Sequence, residues 1–239
     1  MPGMLILALE TSTEFATCAL WRDGEVLERV CPPGRPHSET LLPLVGELLA
    51  EAASTVSDLD AIAFGCGPGA FTGLRVACAA AQGLAMPAAT PLLPVVSLEA
   101  MAADSREAGD RPLLALLDAR MGEVYVGAYP GTRSATTESP WARATLRVQR
   151  PEDIDLGNCA GWHACGNAPA AYPRLRENLL AAGLTVEDGI LPRAAIVAAL
   201  AAPRLARGEG IDAALAAPLY IRDKVAKTVA ERLAEGGKA

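Results

Sequence analysis

Residues 5–9, Leu-Ile-Leu-Ala-Leu, carry no polar side chain, which predicts a strand covered on both faces. A second strand is expected over 16–21, and Asp23-Gly24 is a strong hairpin turn. Residues 25–30 then alternate polar and apolar, as a half-buried strand should. A Pro/Gly loop fills 31–36. The spacing over 37–53 predicts a helix, but Leu41, Leu42, Leu44, Val45, Leu48 and Leu49 cover more than the usual apolar stripe. A strand at 61–64 leads through a glycine-rich loop to a helix over 72–86. A strand at 92–96 and a helix over 97–107 complete the order β-β-β-α-β-α-β-α.

The second half repeats that order more faintly. Strands are expected at 113–118, 123–129, 144–149 and 163–165, with a short helix at 151–154. Helices follow at 169–182 and 193–207, and Ile190-Leu191 reads as the remnant of a fifth strand. Two copies of one order predict a duplicated α/β architecture, each copy a mixed sheet with helices packed on it. The polar, Gly- and Pro-bearing stretch 106–112 marks the boundary, dividing the chain into 1–108 and 109–239. Beyond Tyr220 the tail is charged and ends Gly236-Gly237-Lys238-Ala239, so its end is expected to fray.

Composition narrows the classes. Hydrophobic residues make up 51% of the 239, yet only 4% are aromatic, so the core must be built from Ala, Leu and Val with closely packed helices. A net charge of −7 gives no basic face for gripping a nucleic-acid backbone directly. No run of 18 apolar residues predicts a membrane span, and Glu10 interrupts the first apolar run too early for a signal peptide. A cytoplasmic location is the expectation. The six cysteines show no C-x-x-C spacing and read as small buried hydrophobes. Cys66, inside the glycine loop, is the thiol whose reactivity calls for a test.

That loop, Gly65-Cys66-Gly67-Pro68-Gly69-Ala70-Phe71-Thr72-Gly73-Leu74-Arg75, matches neither G-x-x-x-x-G-K-[ST] nor G-x-G-x-x-G. A sharp structural turn from strand to helix is favoured over a phosphate cradle, with Arg75 held near an interface or contacting a carboxylate. His37 and Ser38 are adjacent and cannot face each other on a helix. One of them is expected to cap the helix that starts there.

Read together, Leu7-Ala8-Leu9-Glu10-Thr11-Ser12-Thr13, His37-Ser38-Glu39-Thr40-Leu41-Leu42-Pro43, Gly67-Pro68-Gly69-Ala70-Phe71-Thr72-Gly73-Leu74-Arg75 and Val96-Ser97-Leu98-Glu99-Ala100 resemble the TsaB family. Asp118-Ala119-Arg120-Met121-Gly122-Glu123-Val124-Tyr125 extends the resemblance into the second half. The resemblance implies a duplicated actin-like (sugar kinase/RNase H-like) fold and a non-catalytic role in making threonylcarbamoyladenosine in tRNA. It implies pairing with the catalytic paralogue TsaD, with the ATPase TsaE in the larger assembly and a homodimer when TsaD is absent. Contact with tRNA is expected only through the complex.

Further expectations follow from it. The catalytic paralogue has His-x-x-x-His where this chain has Ser97 and Met101, and only His37 and His163 occur in the whole chain, so no His-based metal site is expected. The actin-like nucleotide cleft would be degenerate, built from Glu10, Thr11, Ser12, Asp118, Arg120 and Gly166. No cofactor of its own is expected, and nucleotide would bind weakly or at a partner interface. The partner face would comprise His37, Leu41, Leu42, Val45, Leu49, Arg75 and Ala79 on the first two helices. Two rival readings remain: an ATP-dependent phosphotransferase or phosphohydrolase using Glu10 and Asp118, and a protease using Ser38 and His37.

Overall fold

In β1 (Leu5–Glu10) all six residues are buried, because alternate side chains enter two different cores. The computed structural model that shows this describes residues 3–105, 109–129, 145–157 and 159–221. β2 (Thr17–Arg22) and β3 (Glu25–Val30) follow as antiparallel neighbours. β4 (Ala61–Gly67) and β5 (Leu92–Val96) add in parallel on the other side, giving the order β3-β2-β1-β4-β5. The second sheet, of β6 (Leu113–Asp118), β7 (Val124–Tyr129), β8 (Thr145–Gln149), β9 (His163–Gly166) and β10 (Thr185–Asp188), has the order β10-β9-β6-β7-β8. Strand for strand, pairing sense included, it repeats the first.

On one face of the first sheet, Leu7, Leu9, Ile62 and Phe64 pack against α1 (His37–Glu51) and α2 (Phe71–Ala85). The opposite face is a row of small residues. Ala19, Ala8 and Ala63 lie side by side across β2, β1 and β4. Against them packs α6 (Ala194–Ala206), through Ala194, Val197, Ala198 and Ala201. Methyl-sized side chains on both surfaces let the helix approach closely, which is how a chain so poor in aromatics fills this layer.

α6 comes from the second half of the sequence, so the division at 108/109 separates the two sheets but not two packing units. The exchange is mutual. α3 (Ser97–Asp104), from the first half, lays Leu98, Met101 and Ala102 on Leu113, Ala115 and Leu117 of the second sheet, and it touches α6. Thr17 Oγ1 accepts from Ala194 N at 2.8 Å, and Arg193 pairs with Glu28 at the start of α6. On the far face of the second sheet, Leu114, Leu116 and Ala164 meet Leu175 and Leu179 of α5 (Pro173–Ala181).

Several expected elements shift. The helix expected over 169–182 is broken into α4 (Ala168–Ala171) and α5, because Pro173 disfavours helical geometry at Tyr172, which sits at φ −126°, ψ 86°. The fifth strand of the second sheet is β10, not Ile190-Leu191, whose side chains pack on the α3 side of the sheet instead. Residues 151–154 form only a 3-10 turn, Pro151–Asp153. The helix expected to 107 ends at Asp104; residues 106–108, and the tail from 222 where fraying was expected, lie outside the described residues.

Candidate functional site: a closed acid position, a cleft and an apolar groove

β1 and β4 run in parallel and end side by side, so the Thr11–Thr13 turn meets the glycine loop. The meeting is backbone to backbone. Ala70 N donates to Ser12 O at 2.7 Å, and Thr11 Oγ1 donates to Gly73 O at 2.6 Å. A Cβ on Gly73 would lie 1.8 Å from Thr11 O. The loop therefore serves as the structural strand-to-helix turn, its close approach being to this chain's own backbone.

Glu10 lies beneath this junction and is 1% exposed. Its Oε1 accepts from Ser12 N at 2.6 Å and its Oε2 from Ser97 Oγ at 2.9 Å. A Cβ on Gly65 would come within 1.9 Å of the carboxylate, so that glycine makes room for it. Burial raises the Glu10 pKa, opposed by the hydrogen bonds from Ser12, Ser97 and Thr11. Glu10 is thus joined to Ser97, the first residue of α3. Met101, one turn on, is fully buried in the second sheet's core. Among the described residues no three His, Cys, Asp or Glu side chains form a group that could hold a metal.

Above the junction opens a cleft of about 560 Å³ between the two halves. Thr11, Ser12, Asp118 and Arg120 line it; Glu10 and Gly166 do not, which corrects their expected place in a nucleotide cleft. Gly166 is buried at the end of β9, where a Cβ would meet Leu116 O at 2.0 Å. Asp118 is fully engaged: its Oδ1 accepts from Tyr172 OH at 2.8 Å and Arg120 N at 2.9 Å, and its Oδ2 pairs with Arg120 at 3.2 Å. Burial, with Asp118 adding to it, pushes the Tyr172 hydroxyl up to about 12. Arg120 reaches across the cleft mouth to Glu14 Oε2 at 3.2 Å.

His37 opens α1, but it does not cap it, and neither does Ser38; the N-cap residue is Pro36, with no side-chain cap. His37 Nε2 instead donates to Thr13 O at 3.0 Å, so the ring is oriented by a backbone carbonyl. His163 is wholly buried between Thr185 and Glu187 in the second sheet. Cys66 is buried as well, and burial pushes its thiol up to about 12, so the reactive thiolate is suppressed.

An apolar groove of about 510 Å³ runs between α1 and α2. The face expected there needs correction. Leu41, Val45 and Leu49 are 1%, 2% and 7% exposed and belong to the core beneath. Leu42, at 49%, is the exposed leucine of α1, and Phe71, at 40%, faces it from α2. His37, Arg75 and Ala79 do line the groove. Arg75 holds its guanidinium 3.8 Å over the Phe71 ring and donates from Nε to Tyr220 OH at 3.0 Å. Tyr220 and Phe71 pack with ring centroids 5.2 Å apart. Phe71 and Tyr220 were missed as site residues. An aromatic at the first turn of a helix behind a glycine loop was the available signal for Phe71; nothing local marks Tyr220.

A protein-family profile described as TsaD, tRNA N6-adenosine threonylcarbamoyltransferase, matches residues 32–142. The tRNA threonylcarbamoyladenosine biosynthesis protein TsaB of Escherichia coli (strain K12) is 35% identical over 228 residues, covering 93% of this chain and 96% of that protein. The TsaB protein of Haemophilus influenzae is 33% identical over 240 residues, covering 94% and 96%. Among solved structures, YeaZ from Pseudomonas aeruginosa superposes with a TM-score of 0.75 at 35% identity, over 91% of this chain and 99% of that one. A second structure from the same organism, described as an uncharacterized protein with similarity to peptidase YEAZ, gives 0.77 at 36%, over 92% and 100%. The two-sheet architecture is the duplicated actin-like fold, and similarity at this level over nearly the whole length means that the chain belongs to the TsaB family.

Proposed function

We propose that this protein is a non-catalytic subunit of the machinery that makes threonylcarbamoyladenosine in tRNA. It docks onto TsaD through the α1/α2 face, TsaE joins that assembly, and the complex transfers the threonylcarbamoyl group to the adenosine 3′ of the anticodon. The observation that carries the non-catalytic reading is the Glu10–Ser97 pair. Glu10, one of the two acids expected in the cleft, is buried and hydrogen-bonded into the fold. Asp118, the second acid, is held by Tyr172 and Arg120. Catalysis of phosphoryl transfer needs a carboxylate free to hold a metal ion against the phosphates.

The docking reading rests on the groove. Leu42 and Phe71 offer apolar area at its rim, and Arg75 is already ordered by Phe71 and Tyr220. A side chain fixed before binding loses less entropy at the interface. The relatives named for threonylcarbamoyladenosine biosynthesis supply the process, and the TsaD-family profile across 32–142 supports a paralogous partner of the same shape. In the absence of TsaD the same face supports a homodimer. No nucleotide belongs to this chain alone; one held at the cleft would be completed by a partner.

Reconstitution tests this. Purified TsaD, TsaE and a source of threonylcarbamoyl-AMP are combined with tRNA, with and without this chain. Modification that requires the chain, which alone turns over no ATP, is the expected result. Equal modification without it, or steady ATP turnover by the isolated chain, overturns the proposal.

A further inference from the structure

We propose that Arg75 captures a carboxylate of TsaD when the α1/α2 groove is filled, and that Tyr220 is the residue that positions it. The inference rests on the docking face proposed above and names the chemical group which that face selects.

Charge along the groove points to such a partner group. Arg75 is the one charged residue of α2, at the start of its second turn, and it is exposed. A cation near a helix N-terminus gains nothing from the helix dipole, so the stability of α2 does not account for it. Among the described residues that line the groove none is a carboxylate. The acids of α1 that form ion pairs are engaged elsewhere: Glu39 faces Arg35 at 3.8 Å, and Glu51 meets Arg29. A groove lined by Leu41, Leu42, Val76 and Ala80 around this single cation fits an apolar segment that carries one carboxylate. Complementary charge of this kind fixes the register of an interface.

The guanidinium is also held ready. Its central carbon lies 3.8 Å from the Phe71 ring centroid, and its Nε donates to Tyr220 OH at 3.0 Å. Tyr220 is itself anchored to α2 and the glycine loop. Leu219 N, one residue before it, donates to Cys66 O at 2.7 Å. Gln82 Nε2 donates to Ala213 O at 2.8 Å and Ala216 O at 3.2 Å. The segment 213–220 therefore fixes the tyrosine hydroxyl relative to the helix that bears Arg75. With one ring face and Nε taken, the edge left to a partner is the pair of terminal nitrogens. Among the described residues no acceptor meets them. Their spacing matches the two oxygens of a carboxylate, and a guanidinium ordered before binding loses less entropy in the contact.

The first test is TsaD affinity by calorimetric titration, with thermal melting as the check on folding. Arg75→Met should weaken binding about thirtyfold. Arg75→Lys should recover only part of that loss, because an ammonium lacks the fork. Full recovery would overturn the two-nitrogen contact. Tyr220→Phe keeps a ring on Phe71 and removes the hydroxyl. It should weaken binding about fivefold in the native background and not at all beside Arg75→Met. Equal losses in both backgrounds would overturn the positioning role. Leu42→Glu separates this proposal from the docking face. If that variant weakens binding and Arg75→Met does not, the carboxylate contact is overturned and the face stands; if neither does, both fall. The second test identifies the group. Arg75→Lys is mixed with TsaD and a water-soluble carbodiimide, which activates a carboxylate and leaves as the urea while the lysine amine forms an amide. Mass spectrometry of the linked peptides should join residue 75 to an Asp or Glu of TsaD. A link at residue 75 only to a second copy of this chain, or no link there while the complex forms, overturns the proposal.

Discussion

Ser97 donates its hydroxyl to the Glu10 carboxylate at 2.9 Å, and both residues are shut away from solvent. The contact ties the end of β1 to the start of α3, and so ties the first sheet to the helix that covers the second. The Glu10 carboxylate is thus engaged within the fold.

Glu10 should therefore make stability fall with rising pH. Burial raises its folded pKa, so its contribution is fully present below the unfolded value and is lost as pH rises through the folded value. Glu10→Gln keeps the shape, with its oxygen on Ser12 N and its amide on Ser97, and cannot ionise. Denaturant melts between pH 5 and pH 8 should show the variant gaining on the native protein as pH rises, by about 1.4 kcal/mol for each unit of upward shift. A constant difference across that range would show that the carboxyl is not strained by burial.

Two glycines on α2 should respond in opposite ways. Gly73→Ala places a methyl 1.8 Å from Thr11 O, where only backbone can give way, and should cost about 3 kcal/mol or prevent folding. Gly83→Ala meets nothing within 4 Å on the same helix and should stabilise by about 0.5–1 kcal/mol. Urea midpoints of the two variants check the pair.

Neighbouring leucines of α1 should separate folding from docking. Leu41→Glu buries an unpaired charge in the core and should destabilise by about 3–5 kcal/mol. Leu42→Glu sits half exposed and should change stability by less than about 0.5 kcal/mol. It should nonetheless weaken TsaD binding by roughly thirtyfold, a loss of about 2 kcal/mol at an interface anchor. Melting curves and a titration against TsaD distinguish the two effects.

Thiol chemistry should be silent in the folded state. All six cysteines are buried, and Cys18 and Cys66 have thiols pushed up by burial to about 12. A thiol reagent at pH 8 should label the native chain at less than about a tenth of the rate seen after unfolding in guanidinium. Rapid native labelling at Cys66 would show that the glycine loop opens.

Much of the fold was legible in the residues themselves. The apolar run at 5–9, the hairpin at Asp23-Gly24 and the repeated strand and helix order depend on contacts between near neighbours, and these leave periodic patterns. The likeness to the TsaB family was carried by specific residue strings such as 67–75 rather than by periodicity, and the glycine loop's role as a turn could be inferred from its mismatch with phosphate-binding spacings. What failed locally was the continuous helix over 169–182, where the backbone constraint before Pro173 outweighed the apolar pattern.

The tertiary structure alone decided which side of each element meets which neighbour. A helix apolar nearly all round does not say that Leu41, Val45 and Leu49 point inward while Leu42 stays out; the position of the sheet says it. Glu10 and Ser97 are 87 residues apart, and Arg75 and Tyr220 are 145 apart. Nor does local pattern place α6 on the first sheet and α3 on the second. Pattern along a chain records whether a side chain is buried, because burial selects residue type. It does not record the partner, because any apolar surface of the right shape satisfies the same residue, and only the closed three-dimensional packing selects one.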